Sequence, residues 1–141
     1  MKPEMIAEKF EKGFDCSQVI MEHYADELHI SPETANRVAA CFGGGMNRGE
    51  TCGAVIGALM VLGMRYGQYD EKHMEQKDVM ALRRTAFFEK FEEKYPSCIC
   101  RELLGYDVSK PEDLQKILDK GLLFDFCPKV VADVIEILDA L

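Results

Sequence analysis

At 141 residues the chain has the size of one domain, enough to bury a core without disulfide staples. Seventeen Lys and Arg against 25 Asp and Glu leave a net charge of −8 with no basic stripe, which speaks against nucleic-acid binding. The longest apolar run, Cys52 to Met64, is 13 residues, short of the roughly 20 that a membrane span needs, so no membrane association is expected.

Pro3 suits a first helical position and opens a short amphipathic helix over 3–12, with Ile6 and Phe10 inward and Gly13 as its stop. Asp15 is a fair N-cap for a second helix over about 16–29, burying Val19, Ile20, Tyr24 and Leu28. Ser31 and Pro32 start a third, which runs to about Phe42 and ends at Gly43-Gly44-Gly45. After Thr51 every residue to Met64 is apolar, the pattern of a buried helix over about 52–67. Gly53 and Gly57 lie four apart in it and give it a smooth face for close approach. A long polar helix over about 70–95 follows, with Met74, Val79, Leu82, Ala86, Phe87 and Phe91 at helical spacing. Pro96 breaks it. A short helix from about Cys98 to Gly105, another from Ser109-Lys110-Pro111 to Gly121, and a last one from Cys127-Pro128 complete the chain. No stretch alternates as a strand does, so the expectation is an all-α, single-domain helical bundle of about seven helices.

Six cysteines make up about 4% of the chain, below the roughly 8–10% of a disulfide scaffold. The N-terminus is charged and amphipathic and carries no secretory apolar region, so a cytoplasmic protein is expected. There, cysteines lean towards metal binding or redox chemistry. Cys16, Cys52, Cys100 and Cys127 all fall at or near expected helix starts. Unpaired N–H groups and the positive end of the helix dipole favour a thiolate there, below the usual pKa of about 8.5. Four such starts converging on one point would suit a metal, an iron–sulfur cluster or a reactive dithiol. Their gaps of 36, 48 and 27 residues match no zinc-finger or ferredoxin spacing, so scattered buried cysteines stand as the alternative.

The order of motifs adds to this. Phe14-Asp15-Cys16-Ser17-Gln18, Gly43-Gly44-Gly45-Met46, Gly49-Glu50-Thr51-Cys52-Gly53-Ala54-Val55-Ile56-Gly57, Cys100-Arg101-Glu102-Leu103-Leu104-Gly105 and Cys127-Pro128 together resemble the C_GCAxxG_C_C family of redox-active proteins. The resemblance covers about residues 10–138 and implies that Cys16, Cys52, Cys100 and Cys127 are the signature cysteines, with Cys41 and Cys98 outside the set. The family pattern reads Gly-Cys-Ala, whereas this chain has Cys52-Gly53-Ala54. A one-residue shift turns a side chain by about 100° around a helix. A similar cysteine domain accompanies haem in the split-Soret cytochromes, where it is linked to an iron–sulfur centre. This chain has no Cys-x-x-Cys-His, so covalent haem is not implied.

The remaining candidates read as structural. His23, His29 and His73 lie in polar stretches away from any cysteine. Arg48 could hold an anion, and Gly43–Gly45 a phosphate, but no Gly-Lys-Ser/Thr ending supports a nucleotide. Cys98 is a spare thiol or a resolving partner, since a Cys98–Cys100 bridge would close a strained ring. The leading expectation is that the four signature cysteines form one iron–sulfur or other metal site for electron transfer with an unidentified redox partner protein. A metal-free thiol–disulfide protein, or a structural helical protein with a zinc site or none, are the alternatives. A homo-oligomer is compatible with all three.

Overall fold

The computed structural model describes residues 1–141 as nine α-helices: α1 (Pro3–Glu11), α2 (Cys16–Tyr24), α3 (Pro32–Ala39), α4 (Gly53–Tyr66), α5 (Gln76–Lys94), α6 (Cys100–Leu104), α7 (Pro111–Asp119), α8 (Leu122–Asp125) and α9 (Cys127–Asp139). The all-α expectation holds, with one isolated antiparallel bridge, Thr51 opposite Ile99, and no strand. Against the expected total of about seven, the helix with no counterpart among the stretches read from the sequence is α8, in the C-terminal third. There Gly121 takes a left-handed φ of 69°, ends the descent from α7 and starts the single-turn α8, which abuts α9.

α4 runs through the middle. Gly53, Ala54, Val55, Gly57, Ala58, Val61 and Leu62 are all buried in it, as its unbroken apolar run demands. Gly57 lets α2 lie against it: a β-carbon there would stand 2.8 Å from Ile20 Cβ and 3.2 Å from the Ser17 carbonyl oxygen. Ser17, fully buried, donates its hydroxyl to the Ala39 carbonyl (2.9 Å) and ties the start of α2 to the end of α3. α9 closes the bundle with Val130, Val131, Val134, Ile135 and Leu138. At its far end the Tyr24 hydroxyl reaches the Ile135 carbonyl (3.0 Å) and the Asp139 carboxylate (2.7 Å).

α5 departs from its sequence pattern. It begins at Gln76 rather than near residue 70, and only Phe87 and Phe91 are buried. Met74 is 63% exposed and Leu82 73%, so helical spacing there marks no core face. α2 and α3 also stop earlier than expected, at Tyr24 and Ala39. No helix is long and apolar enough to cross a membrane.

The buried residues fall into two groups. The main core draws on α1–α5 and α9. A small second one, built on Cys100, Leu104 and Ile117, belongs to α6–α8. The seam between the two is where the site lies.

Candidate functional site

Each signature cysteine stands at a helix start. Cys16, Cys100 and Cys127 are the first residues of α2, α6 and α9, and Cys52 is the extended residue (φ −50°, ψ 132°) that precedes α4. Asp15 anchors the first of these through its backbone N–H, which donates to Gln18 Oε1 (2.9 Å). Pro128 is the second residue of α9, in the first turn, where a missing amide costs no helical hydrogen bond.

Two segments 48 residues apart, one carrying Cys52 and the other Cys98 and Cys100, are set side by side by backbone pairing. The Cys52 N–H donates to the Cys98 carbonyl (2.7 Å), and the Cys100 N–H donates to the Glu50 carbonyl (2.6 Å), flanking the Thr51–Ile99 bridge. Arg101 fastens the same junction: its Nη1 donates to the Gly49 carbonyl (3.0 Å) and pairs with the Glu50 carboxylate (3.1 Å). The glycine loop brings the chain there through four successive left-handed residues, Gly44 (φ 62°), Gly45 (59°), Met46 (60°) and Asn47 (53°). Glycine adopts this conformation freely, whereas Met46 holds it against a cost of about 1–2 kcal/mol.

Cys16, Cys52, Cys100 and Cys127 all line one cavity of about 190 Å³. An apolar cavity of roughly 150 Å³ already admits a molecule the size of benzene. Most of the wall is apolar, with Phe10, Phe14, Leu104, Val108, Phe126 and Val131 among the lining residues. Apart from the thiols, Asp15 is the one titratable side chain in the wall; no Lys, Arg or His lines it. The departure Cys52-Gly53 has a local reason here. A β-carbon on Gly53 would overlap the Cys16 sulfur and stand 2.9 Å from the Phe42 carbonyl oxygen, so the residue after Cys52 must be glycine for Cys16 to reach the cavity.

The thiols sense one another. The Cys16 thiol is raised well above its usual range, first by its hydrogen bond with Cys52, then by burial and by the Cys52 charge, while the Gly44 backbone N–H at its sulfur works the other way. Burial pushes Cys100 up to about 11, helped by Cys16 and Asp107. Cys127 is raised further, by burial and then by Cys16 and Cys100. These shifts correct the expectation that helix starts alone would make thiolates. In a partly enclosed, mostly apolar cavity, loss of hydration outweighs the helix dipole. The Cys16, Cys100 and Cys127 side chains are therefore thiols at neutral pH, and thiolates form there only if something positive takes the place of the proton. Burial likewise raises the Asp15 carboxyl.

Other sequence candidates lie elsewhere. Cys41 is exposed, Arg48 is on the surface, and none of His23, His29 and His73 lines the cavity. Asp15 crowds Gly43, and Val108 lies 3.1 Å from the position of a β-carbon on Gly44, so protein side chains fill the space beside these glycines that a phosphate would need. Sequence reasoning missed the Gly44 N–H as a donor to sulfur and the pairing of 50–52 with 98–100. A stretch of three residues is too short to show a strand period.

The fold thus gathers four cysteines at helix starts around one mostly apolar cavity. The chain is a member of the family described as "Putative redox-active protein (C_GCAxxG_C_C)", whose model matches residues 14–141. No curated protein and no solved structure matched the chain.

Proposed function

We propose that Cys16, Cys52, Cys100 and Cys127 hold an iron–sulfur cluster and that the protein transfers electrons through it. The observation that carries this reading is the convergence of all four signature cysteines on one mostly apolar cavity. The residues fit such a group: iron–sulfur clusters take four cysteine thiolates, and the wall offers no competing histidine. No three of the His, Cys, Asp and Glu side chains are gathered tightly enough to hold a single ion.

The bound group would supply one-electron chemistry. Each cysteine gives up its thiol proton when it becomes a ligand, so loading releases protons. The Gly44 N–H at the Cys16 sulfur stabilises negative charge on that ligand and favours the reduced state. The starts of α2, α4, α6 and α9, where the four cysteines stand, act in the same sense. The mostly apolar wall lowers the polarity around the sulfurs. An unidentified protein partner would deliver or accept the electron.

The test is anaerobic purification followed by iron, sulfide and zinc analysis with a visible spectrum. Brown protein with iron and acid-labile sulfide supports the reading. Colourless protein without iron after anaerobic reconstitution overturns it, and stoichiometric zinc would make the site structural. One observation favours a second reading, a metal-free dithiol: the Cys16 and Cys52 thiols line the same cavity, and Cys52 is the main cause that raises the Cys16 thiol. A reversible Cys16–Cys52 disulfide in iron-free protein would establish it.

A further inference from the structure

Outside the four signature cysteines, one thiol is set against the site by the backbone. Thr51 and Ile99 face each other in an antiparallel bridge, so Cys52 and Cys98 are the next directly opposed pair, joined by the Cys52 N–H to Cys98 carbonyl bond. Opposed residues of such a ladder have Cα atoms about 4.5–5.5 Å apart and point to one face. That separation falls inside the roughly 4.4–6.8 Å that a disulfide spans. Cys100 is only the diagonal neighbour of Cys52, and it is buried, whereas Cys52 and Cys98 are partly exposed. Cys98 does not line the cavity and is free of the role proposed for the other four.

We propose that Cys98 and Cys52 are an oxidation-sensitive pair, closed to a disulfide by a peroxide. The Cys98 thiolate attacks one oxygen of hydrogen peroxide: an S–O bond forms, the O–O bond breaks, and the departing hydroxide leaves as water. The Cys52 thiolate then attacks the Cys98 sulfur. The S–S bond forms as the S–O bond breaks, and a second water leaves. In sum, two thiols and one peroxide give one disulfide and two waters. A small dithiol reverses the step. The consequence for the site rests on the cofactor reading above: Cys52 in a disulfide is lost as a ligand, so peroxide would discharge the cavity and a reductant would restore its ability to load.

The experiment uses the full chain, loaded anaerobically and treated with one equivalent of hydrogen peroxide. Remaining thiols are alkylated, the protein is digested with trypsin, and linked peptides are sequenced by fragmentation. Cys98 and Cys100 share the peptide Tyr95–Arg101, so the fragments must break on either side of Ile99. A Cys52–Cys98 link, a fall from six thiols to four when they are counted after denaturation and metal removal, and iron release at the same rate are expected. Cys98→Ser should load normally and release iron severalfold more slowly under peroxide. A Cys16–Cys52 or Cys52–Cys100 link in place of Cys52–Cys98, or sulfinic acid at Cys98 with Cys52 free, overturns the proposal. The two readings fail separately. A Cys52–Cys98 link in protein that never binds metal refutes the cofactor alone, and bound iron without that link refutes the pair alone.

Discussion

Two glycines of α4 should answer the same substitution with opposite signs. At Gly57 a β-carbon would stand 2.8 Å from Ile20 Cβ, 3.0 Å from its Cγ2 and 3.2 Å from the Ser17 carbonyl oxygen. None of these atoms is the free end of a flexible chain, so relief requires α2 and α4 to separate. Overpacking of this kind costs about 1–3 kcal/mol. Alanine returns about 1 kcal/mol of helix propensity, so Gly57→Ala should lose about 0–2 kcal/mol. At Gly63 the same atom meets nothing within 4 Å, and Gly63→Ala should gain up to about 1 kcal/mol. The two variants should therefore differ by about 1–3 kcal/mol, or about 3–9 °C in Tm for a chain of this length. Urea unfolding followed by far-UV circular dichroism reads the difference directly, with wild type between the two. Equal midpoints for Gly57→Ala and Gly63→Ala would refute the claim that α2 seats on α4 at Gly57.

Gly53→Ala should displace the Cys16 sulfur from the cavity, because the added carbon would overlap it. Iron bound after anaerobic reconstitution should fall well below one cluster per chain while the helical circular dichroism persists; full loading would show that Cys16 need not stand where it does. The metal-free protein should lose stability in alkali. The Cys100 pKa is raised to about 11 by burial, against about 8.5 for a free thiol, so the folded chain holds that proton where the unfolded chain has released it. Its contribution is complete below about pH 8.5 and is lost as pH rises to about 11. The fall in Tm across that window should be smaller in Cys100→Ala, and an identical fall in both proteins would show that Cys100 is not the group responsible.

Helix starts were legible in the sequence because they are written locally. Pro3, Ser31 with Pro32, Pro111 and Pro128 each mark a first turn through their own backbone chemistry, and the structure has helices beginning at those points. The same signals put Cys16, Cys52, Cys100 and Cys127 at helix starts, and the buried course of α4 follows from its apolar run. Where the sequence misled, the cause was a pattern without a partner. Met74 and Leu82 have helical spacing, but no element packs over them, so they are exposed.

What the chain alone determined, then, was the all-α class, the order of the motifs and the membership of the family, each a property of short stretches taken in sequence. Which sulfurs meet was decided only by tertiary structure. Cys16 and Cys127, 111 residues apart in the chain, line one cavity through packing of α2, α4 and α9, and no local signal encodes that convergence. The place of Cys98 was decided the same way, by a two-bond backbone ladder whose halves lie far apart in the chain. Protonation followed from burial, since the desolvation that keeps Cys100 and Cys127 as thiols exists only once the two cores close around the cavity.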